Sequence, residues 1–344
     1  MKVLVLSALA RDTGSWLRAR SIARSLEAHA EVEFVRAPTR SLPFLFELVL
    51  SAPRYFLAAL TTDADCLLAV KPFPNVTVPL LVSRLFRKRR IVVDVDDRDD
   101  AYFPGWRGRL VGWLQKPGPR RFDLITFHNE NLGELLLGHF RVRPERLLRL
   151  PQGVDLQTFR PRPEVPVVPK SLLFVGHLNI ASELPWILET VRDLQRSRSV
   201  TLTVAGGGPC LEEFRDQARE LGVAARFTGA LSTEGVALEI AAAEACLVYY
   251  APSEANRHRS SMKLRECLAM GKKVVCNDFD ELADFGPAAY LCSSEREDYL
   301  RTIEQVLDGG DGREASAVEW IRERYDWAAL GPVLFERLER DSTE

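Results

Sequence analysis

Short apolar runs alternate with stretches of helical periodicity along almost the whole chain, and the series is played through twice. In the first half the runs occupy residues 3–6, 32–35, 66–70, 91–94, 124–127 and 147–150, with amphipathic stretches such as 15–26 and 131–140 between them. In the second half they occupy residues 172–175, 202–205, 225–228, 246–249, 274–276 and 289–291, separated by helical patterns such as 184–194, 211–221 and 235–243. Runs this short and this apolar suit strands buried on both faces, and parallel strands need a helical crossover between them. Strand, helix, strand at this spacing predicts right-handed connections and parallel sheets. The expected fold class is α/β, with two doubly wound parallel sheets. Ligands of such sheets bind outside the carboxyl ends of the strands, so two facing sheets would share a cleft.

The 344 residues agree with two domains of ~150 residues each. Between the two series, Arg160-Pro161-Arg162-Pro163-Glu164-Val165-Pro166 carries three prolines and reads as an extended linker. The expected division is residues 1–163, residues 164–314, and helices over residues 315–344 that need not stay with the second domain. A formal net charge of −2 argues against nucleic acid held by overall charge. The cysteines (Cys66, Cys210, Cys246, Cys267, Cys276, Cys292) form no C-x-x-C pair, and several sit in apolar runs. They read as buried, reduced thiols of a cytoplasmic protein. Lys2 and the apolar residues to Ala10 imitate a signal peptide but fall short of its ~15–30 residues, and a buried first strand explains them better. The apolar stretch 42–60 is broken by Glu47, Pro53 and Arg54, so it does not span a bilayer.

Residues 253–275 concentrate the chemistry. Ser260 or Ser261 suits an N-cap, Gly271 suits the C′ position after a helix ending near Met270, and a strand resumes at Lys273. The helix would therefore aim its amino end at the sheet's carboxyl edge, where free N–H groups and the dipole attract an anion. Arg257, Arg259, Lys263 and Arg265 add positive charge suited to a diphosphate; a solvated basic loop is the plainer alternative. Glu266 lies three residues after Lys263 on the same face. It could form an intrahelical ion pair, or accept both hydroxyls of a ribose with its two oxygens. Gly206-Gly207-Gly208-Pro209 and Gly176-His177 each follow a predicted strand, and suit a tight turn as well as a ligand loop. The first lacks the dinucleotide fingerprint, because position 211 is Leu211. In the first half, Asp12-Thr13-Gly14-Ser15 opens a helix carrying Arg18 and Arg20. The loop Asp94-Val95-Asp96-Asp97-Arg98-Asp99-Asp100 could hold a divalent ion, could be solvated, or could supply one carboxylate to a substrate hydroxyl.

Together these segments resemble the retaining glycosyltransferases of family 4, which have the GT-B fold of two Rossmann-like domains. Ala205-Gly206-Gly207-Gly208-Pro209 is similar to the family's G-x-G-P turn. Leu150-Pro151-Gln152-Gly153-Val154-Asp155, followed by Phe159 and Pro161, is similar to its "P-N-G-V-D…F-x-P" signature, with Gln152 for asparagine. Lys263-Leu264-Arg265-Glu266-Cys267-Leu268-Ala269-Met270-Gly271-Lys272 is similar to its "K-x-x-E-x-x-A-x-G-K" donor helix. The resemblance implies a hexosyltransferase-like enzyme that moves a sugar from a nucleotide-diphosphate sugar to an acceptor hydroxyl with retention, and needs no metal or other cofactor. It implies a donor site in the second domain drawn from Gly176, His177, Gly207, Gly208, Glu254, Asn256, Arg257, Arg259, Ser260, Ser261, Met262, Lys263 and Glu266, with Lys263 and Glu266 central to catalysis. The acceptor, a sugar, glycan or lipid-linked sugar, would meet the first domain near Gly14, Arg18 and His128, with Asp97 against the reacting hydroxyl. The family's glutamate eight residues before the helix glutamate is His258 here, with Glu254 nearby. Its arginine and lysine after the F-V-G strand have no counterpart in His177-Leu178-Asn179-Ile180-Ala181-Ser182-Glu183. Arg257, Arg259 and Lys263 are expected to substitute.

Three rivals share parts of this pattern. A sugar-nucleotide 2-epimerase would need no acceptor, a degenerate relative would bind nucleotide without transfer, and a two-lobed binding protein would ordinarily be exported. Apolar residues 42–46 and 48–50 beside Arg54 and the basic stretch Arg84, Arg87, Lys88, Arg89, Arg90 suit either a core helix with a solvated charge run or peripheral contact with the inner face of an anionic membrane.

Overall fold

In the computed structural model, described over residues 1–9, 14–36, 44–102, 105–115 and 121–340, the two series fold into two parallel six-stranded sheets. The first is built from β1 (Lys2–Ser7), α1 (Gly14–Leu26), β2 (Glu31–Val35), α2 (Phe44–Thr61), β3 (Cys66–Val70), α3 (Pro74–Ser83), β4 (Arg90–Val95), α4 (Trp106–Gln115), β5 (Leu124–Phe127), α5 (Glu130–Gly138) and β6 (Leu147–Arg149). Its strand order is β2-β1-β3-β4-β5-β6. The second comprises β7 (Ser171–Val175), α6 (Leu184–Gln195), β8 (Thr201–Ala205), α7 (Leu211–Glu220), β9 (Ala225–Gly229), α8 (Thr233–Ala242), β10 (Ala245–Val248), α9 (Glu254–Arg257), α10 (Met262–Ala269), β11 (Lys273–Asn277), β12 (Tyr290–Cys292), α11 (Arg296–Leu307) and α12 (Glu314–Tyr325). Its order is β12-β11-β10-β7-β8-β9. Each of the twelve apolar runs read from the sequence is a strand, displaced by a residue or two at most. Their periodicity survives because both faces of each sheet are covered. In the first sheet, Leu4 and Leu6 face one core while Val3 and Val5 face the other.

Strand order reverses once in each sheet. The reversal lies between β1 and β3 in the first and between β7 and β10 in the second. The crevices outside the carboxyl ends of those pairs are where doubly wound sheets hold ligands.

The chain divides into two compact units. One is Met1–Gly153 with His258–Ser260 and Trp327–Glu344; the other is Val154–Arg257 with Ser261–Asp326. The proline-rich residues 160–166 lie within the second unit, and the tail divides at 326/327. Helix α13 (Trp327–Arg340) belongs to the first unit, where Trp327, Leu330, Leu334 and Leu338 pack with Ala19, Ile22, Ala23 and Leu26 of α1. The two helices run close: a Cβ on Gly331 would stand 2.3 Å from the Ser25 carbonyl oxygen. All six cysteines are free and buried, and desolvation pushes the thiols of Cys66 and Cys292 up to about 12.

Candidate functional site

The local signals around α10 fold as their chemistry dictates. Ser261 is the N-cap, its hydroxyl accepting from the Leu264 N–H at 3.2 Å. At the other end Gly271 takes φ +67°, a left-handed conformation that glycine adopts without cost. The Lys272 N–H then reaches the Cys267 carbonyl and the Gly271 N–H reaches that of Leu268, the paired bonds of a Schellman motif. Because α10 lies between β10 and β11, its amino end meets the carboxyl edge of the second sheet, beside the switch point. The amides of its first turn make that end attractive to an anion.

Lys263 and Glu266 occupy one face of α10. The Lys263 ammonium donates to Glu266 Oε2 at 2.7 Å, and the lysine side chain keeps 33% exposure while that of Glu266 keeps 6%. Burial pushes the Glu266 carboxyl above the ordinary carboxylate range, against the opposing pull of Lys263. Both oxygens of a buried carboxylate therefore gain from further donors. Arg257, the last residue of α9, is exposed, with Glu254 and Asp280 at 3.8 and 3.9 Å. His177 and Glu254 are exposed, Met262 is half-buried, and Arg259 and Ser260 are half-buried within the short segment that groups with the first unit.

Several expected contributors are committed elsewhere. Arg265 does not add to a diphosphate site: it is fully buried, donating to Ser261 O at 2.8 Å and Glu281 Oε1 at 2.7 Å. Its guanidinium also lies over the rings of Phe285 and Tyr325, which makes it a strut beneath the N-cap. Asn256 is buried, and both amide hydrogens are used: Nδ2 donates to Glu183 Oε1 at 2.7 Å and to Ala251 O at 2.8 Å. The glycines after β8 approach backbone. A Cβ on Gly206 would lie 1.8 Å from the Gly176 oxygen, one on Gly208 2.2 Å from the Leu178 oxygen, and one on Gly207 2.9 Å from the Ala230 Cβ. With the Leu178 N–H donating to Gly207 O at 3.0 Å, Gly176, Gly207 and Gly208 knit the loops after β7 and β8 together.

In the first unit, Arg18 is also corrected. It is 1% exposed, its guanidinium forks onto Asp94 at 2.7 and 2.8 Å, and it donates to the Leu150 carbonyl at 2.9 Å. It ties α1 to the strand ends and offers no group to an acceptor. Gly14 begins α1 with open space around its Cβ position, while Asp12 and Thr13 lie outside the described residues. His128 is buried after β5, its Nε2 donating to the Asp96 carbonyl. Asp97 keeps 31% side-chain exposure at the end of β4. Among the described side chains of the acidic loop, Asp94 pairs with Arg18, Asp96 and Asp97 with Lys71, and Asp100 with Arg98.

Two residues escaped the sequence reading. Lys71 follows β3 at the switch point of the first sheet, 2% exposed and with φ +67°, its ammonium 3.2 Å from Asp96 and 3.6 Å from Asp97. A lone lysine after a strand gives no local warning of this; its positive φ, uncommon outside glycine, belongs to the folded chain. Glu183 precedes α6 and accepts from both the Ala251 N–H and Asn256, fixing the loop that leads to α10. Its partners lie 68 and 73 residues away, beyond the reach of any local pattern.

Two parallel six-stranded sheets with these switch points define the class as GT-B. Sucrose-phosphate synthase from Thermosynechococcus elongatus superposes with a TM-score of 0.80 at 13% identity, over 100% of this chain and 99% of that one. HepE from Anabaena, in a structure with UDP and glucose, superposes with a TM-score of 0.74 at 16% identity, over 99% of this chain and 100% of that one. A Listeria monocytogenes protein described as a UDP-N-acetylglucosamine 2-epimerase reaches 0.67 at 11% identity, over 100% of this chain and 97% of that one. At these identities the likeness is one of fold. No curated protein matches the chain by sequence. Residues 169–309 match the family model described as Glycosyl transferases group 1, and this stretch contains β7 to α11 with the whole α10 site. The protein is a GT-B glycosyltransferase that takes its sugar from a nucleotide sugar, with its group 1 domain in the second unit.

Proposed function

We propose that the nucleotide diphosphate of the donor rests against the amino end of α10, with Glu266 accepting the ribose hydroxyls and Lys263 and Arg257 facing the phosphates. The observation that carries this is a buried carboxylate and a half-exposed lysine sharing the face of a helix whose capped end meets the switch point. As the sugar–phosphate bond breaks, charge grows on the leaving diphosphate, and the helix terminus and cations stabilise it in place of a metal. The transfer proceeds with retention: the acceptor hydroxyl approaches the anomeric carbon from the face the diphosphate leaves. Asp97, held by buried Lys71, contacts that hydroxyl, and the acceptor is a sugar, glycan or lipid-linked sugar handled on the cytoplasmic side. UDP and glucose in HepE make uridine diphosphate the first nucleotide to try.

A thermal-shift panel of UDP, GDP, ADP and TDP tests the donor site. Nucleotide at a hundred times its Kd adds ~2.7 kcal/mol to stability, enough to raise Tm by several degrees. No shift with any member would remove the donor assignment. The epimerase fold neighbour makes a second assay necessary: conversion of a nucleotide sugar with no acceptor present would replace transfer by epimerisation.

A further inference from the structure

Helix α2 is apolar on two opposite faces. One face, with Leu48, Ser51, Tyr55 and Ala59, is buried against the first sheet. The other presents Phe46, Val49, Leu50, Pro53, Leu57 and Leu60, which at 3.6 residues per turn fall within an arc of about 100°. The five large apolar side chains among these six are between 43% and 69% exposed. From Phe46 to Leu60 the stripe runs ~21 Å along the axis of the 18-residue helix.

The surroundings of the stripe are basic. Of the cations expected there, Arg84 is paired with Asp123, Arg89 is buried on the Ala59 and Thr62 carbonyls that end α2, and Arg90 donates to the Leu338 carbonyl. Arg54, Arg87 and Lys88 remain exposed, Arg54 beside the stripe and Arg87 at its carboxyl end, where it reaches the Thr62 carbonyl. The acids at that end, Asp63 and the Glu33 that accepts from the Thr62 hydroxyl, are both engaged by Lys2, at 2.5 and 2.9 Å. Next to Arg87, Leu85 and Phe86 are 81% and 73% exposed. Exposed Trp106 and Trp113, seven residues apart on α4, belong to a helix packed on the same side of the sheet.

We propose that the outer face of α2 docks in the headgroup and acyl boundary of an anionic bilayer, with Arg54, Arg87 and Lys88 meeting lipid phosphates. No helix among the described residues is long and apolar enough to cross a membrane, so α2 lies in the surface plane. A second copy of the chain is the poorer occupant. The stripe offers ~21 Å by ~10 Å, well below the ~800 Å² per partner of a stable interface, and its exposed cations would repel their own copies. The proposal is independent of the donor reading, because α2 belongs to the first unit and α10 to the second.

The test is cosedimentation of the full chain with vesicles of phosphatidylcholine containing about one-third phosphatidylglycerol, at low salt. The wild type should pellet, and should release as salt screens the charges. Arg54→Ala with Lys88→Ala should weaken binding about five-fold for each cation removed. Leu50→Glu with Leu57→Glu should abolish it, while both variants keep the nucleotide-induced thermal shift of the wild type. A wild type that stays in the supernatant, equal pelleting with pure phosphatidylcholine, or a lipid-free dimer that the glutamate variant splits would each overturn the proposal.

Discussion

Replacing Glu266 by Gln separates a carboxylate that serves only its own helix from one that holds a ligand. Glu266 is 5% exposed and meets Lys263 at 2.7 Å. If that pair were all, the substitution would remove an ion pair worth only a few tenths of a kcal/mol, and nucleotide binding would not change. If the carboxylate accepts two ribose hydroxyls, each hydrogen bond to the charged group contributes ~1.5–3 kcal/mol. Glutamine keeps one neutral acceptor oxygen, so the net loss is ~2–3 kcal/mol, or about 30- to 150-fold in Kd. Stability moves the other way. Burial raises the Glu266 pKa from its ordinary 4.5, so between that value and the folded pKa the native state binds more protons than the unfolded one. Its contribution to stability therefore falls as pH rises through that window. The glutamine variant escapes this loss, and its Tm at neutral pH should equal or exceed that of the wild type. Titration calorimetry with the best nucleotide of the panel, on wild type and Glu266→Gln, reads the effect. Affinity of the wild type should also decline on acidification through the raised pKa, and that of the variant should not. Binding by the variant within about two-fold of wild type would refute the diol assignment.

Four further outcomes follow from the same geometry. Lys71→Met leaves buried Asp96 without its ion-pair partner, and should lower the unfolding free energy in urea by ~3–5 kcal/mol; Asp97→Asn should keep that stability but lose transfer. Arg265→Leu strips Glu281 of a 2.7 Å partner inside the protein and should cost a similar ~3–5 kcal/mol, read as a lower urea midpoint. Gly206→Ala, at φ +154° with its Cβ 1.8 Å from the Gly176 oxygen, should cost ~3 kcal/mol or more, and its Tm should fall with nucleotide absent as well as present.

The sequence determined what depends on neighbours within a turn or two. Strand runs such as residues 66–70 and 124–127 were legible because burial on both faces makes a parallel strand uniformly apolar. The cap at Ser261 and the turn at Gly271 were legible because each is set by bonds three to five residues long. Tertiary structure decided which polar groups near the strand ends remain available. Arg18, Arg265 and Asn256 read as ligand groups by residue type, yet their main partners lie 76, 16 and 73 residues away. It also decided that Lys71, inconspicuous in the chain, stands buried between two aspartates, and that the outer face of α2 is left uncovered. A charged side chain in low dielectric must find its opposite charge, and which charge that is depends on contacts that close only when distant segments pack.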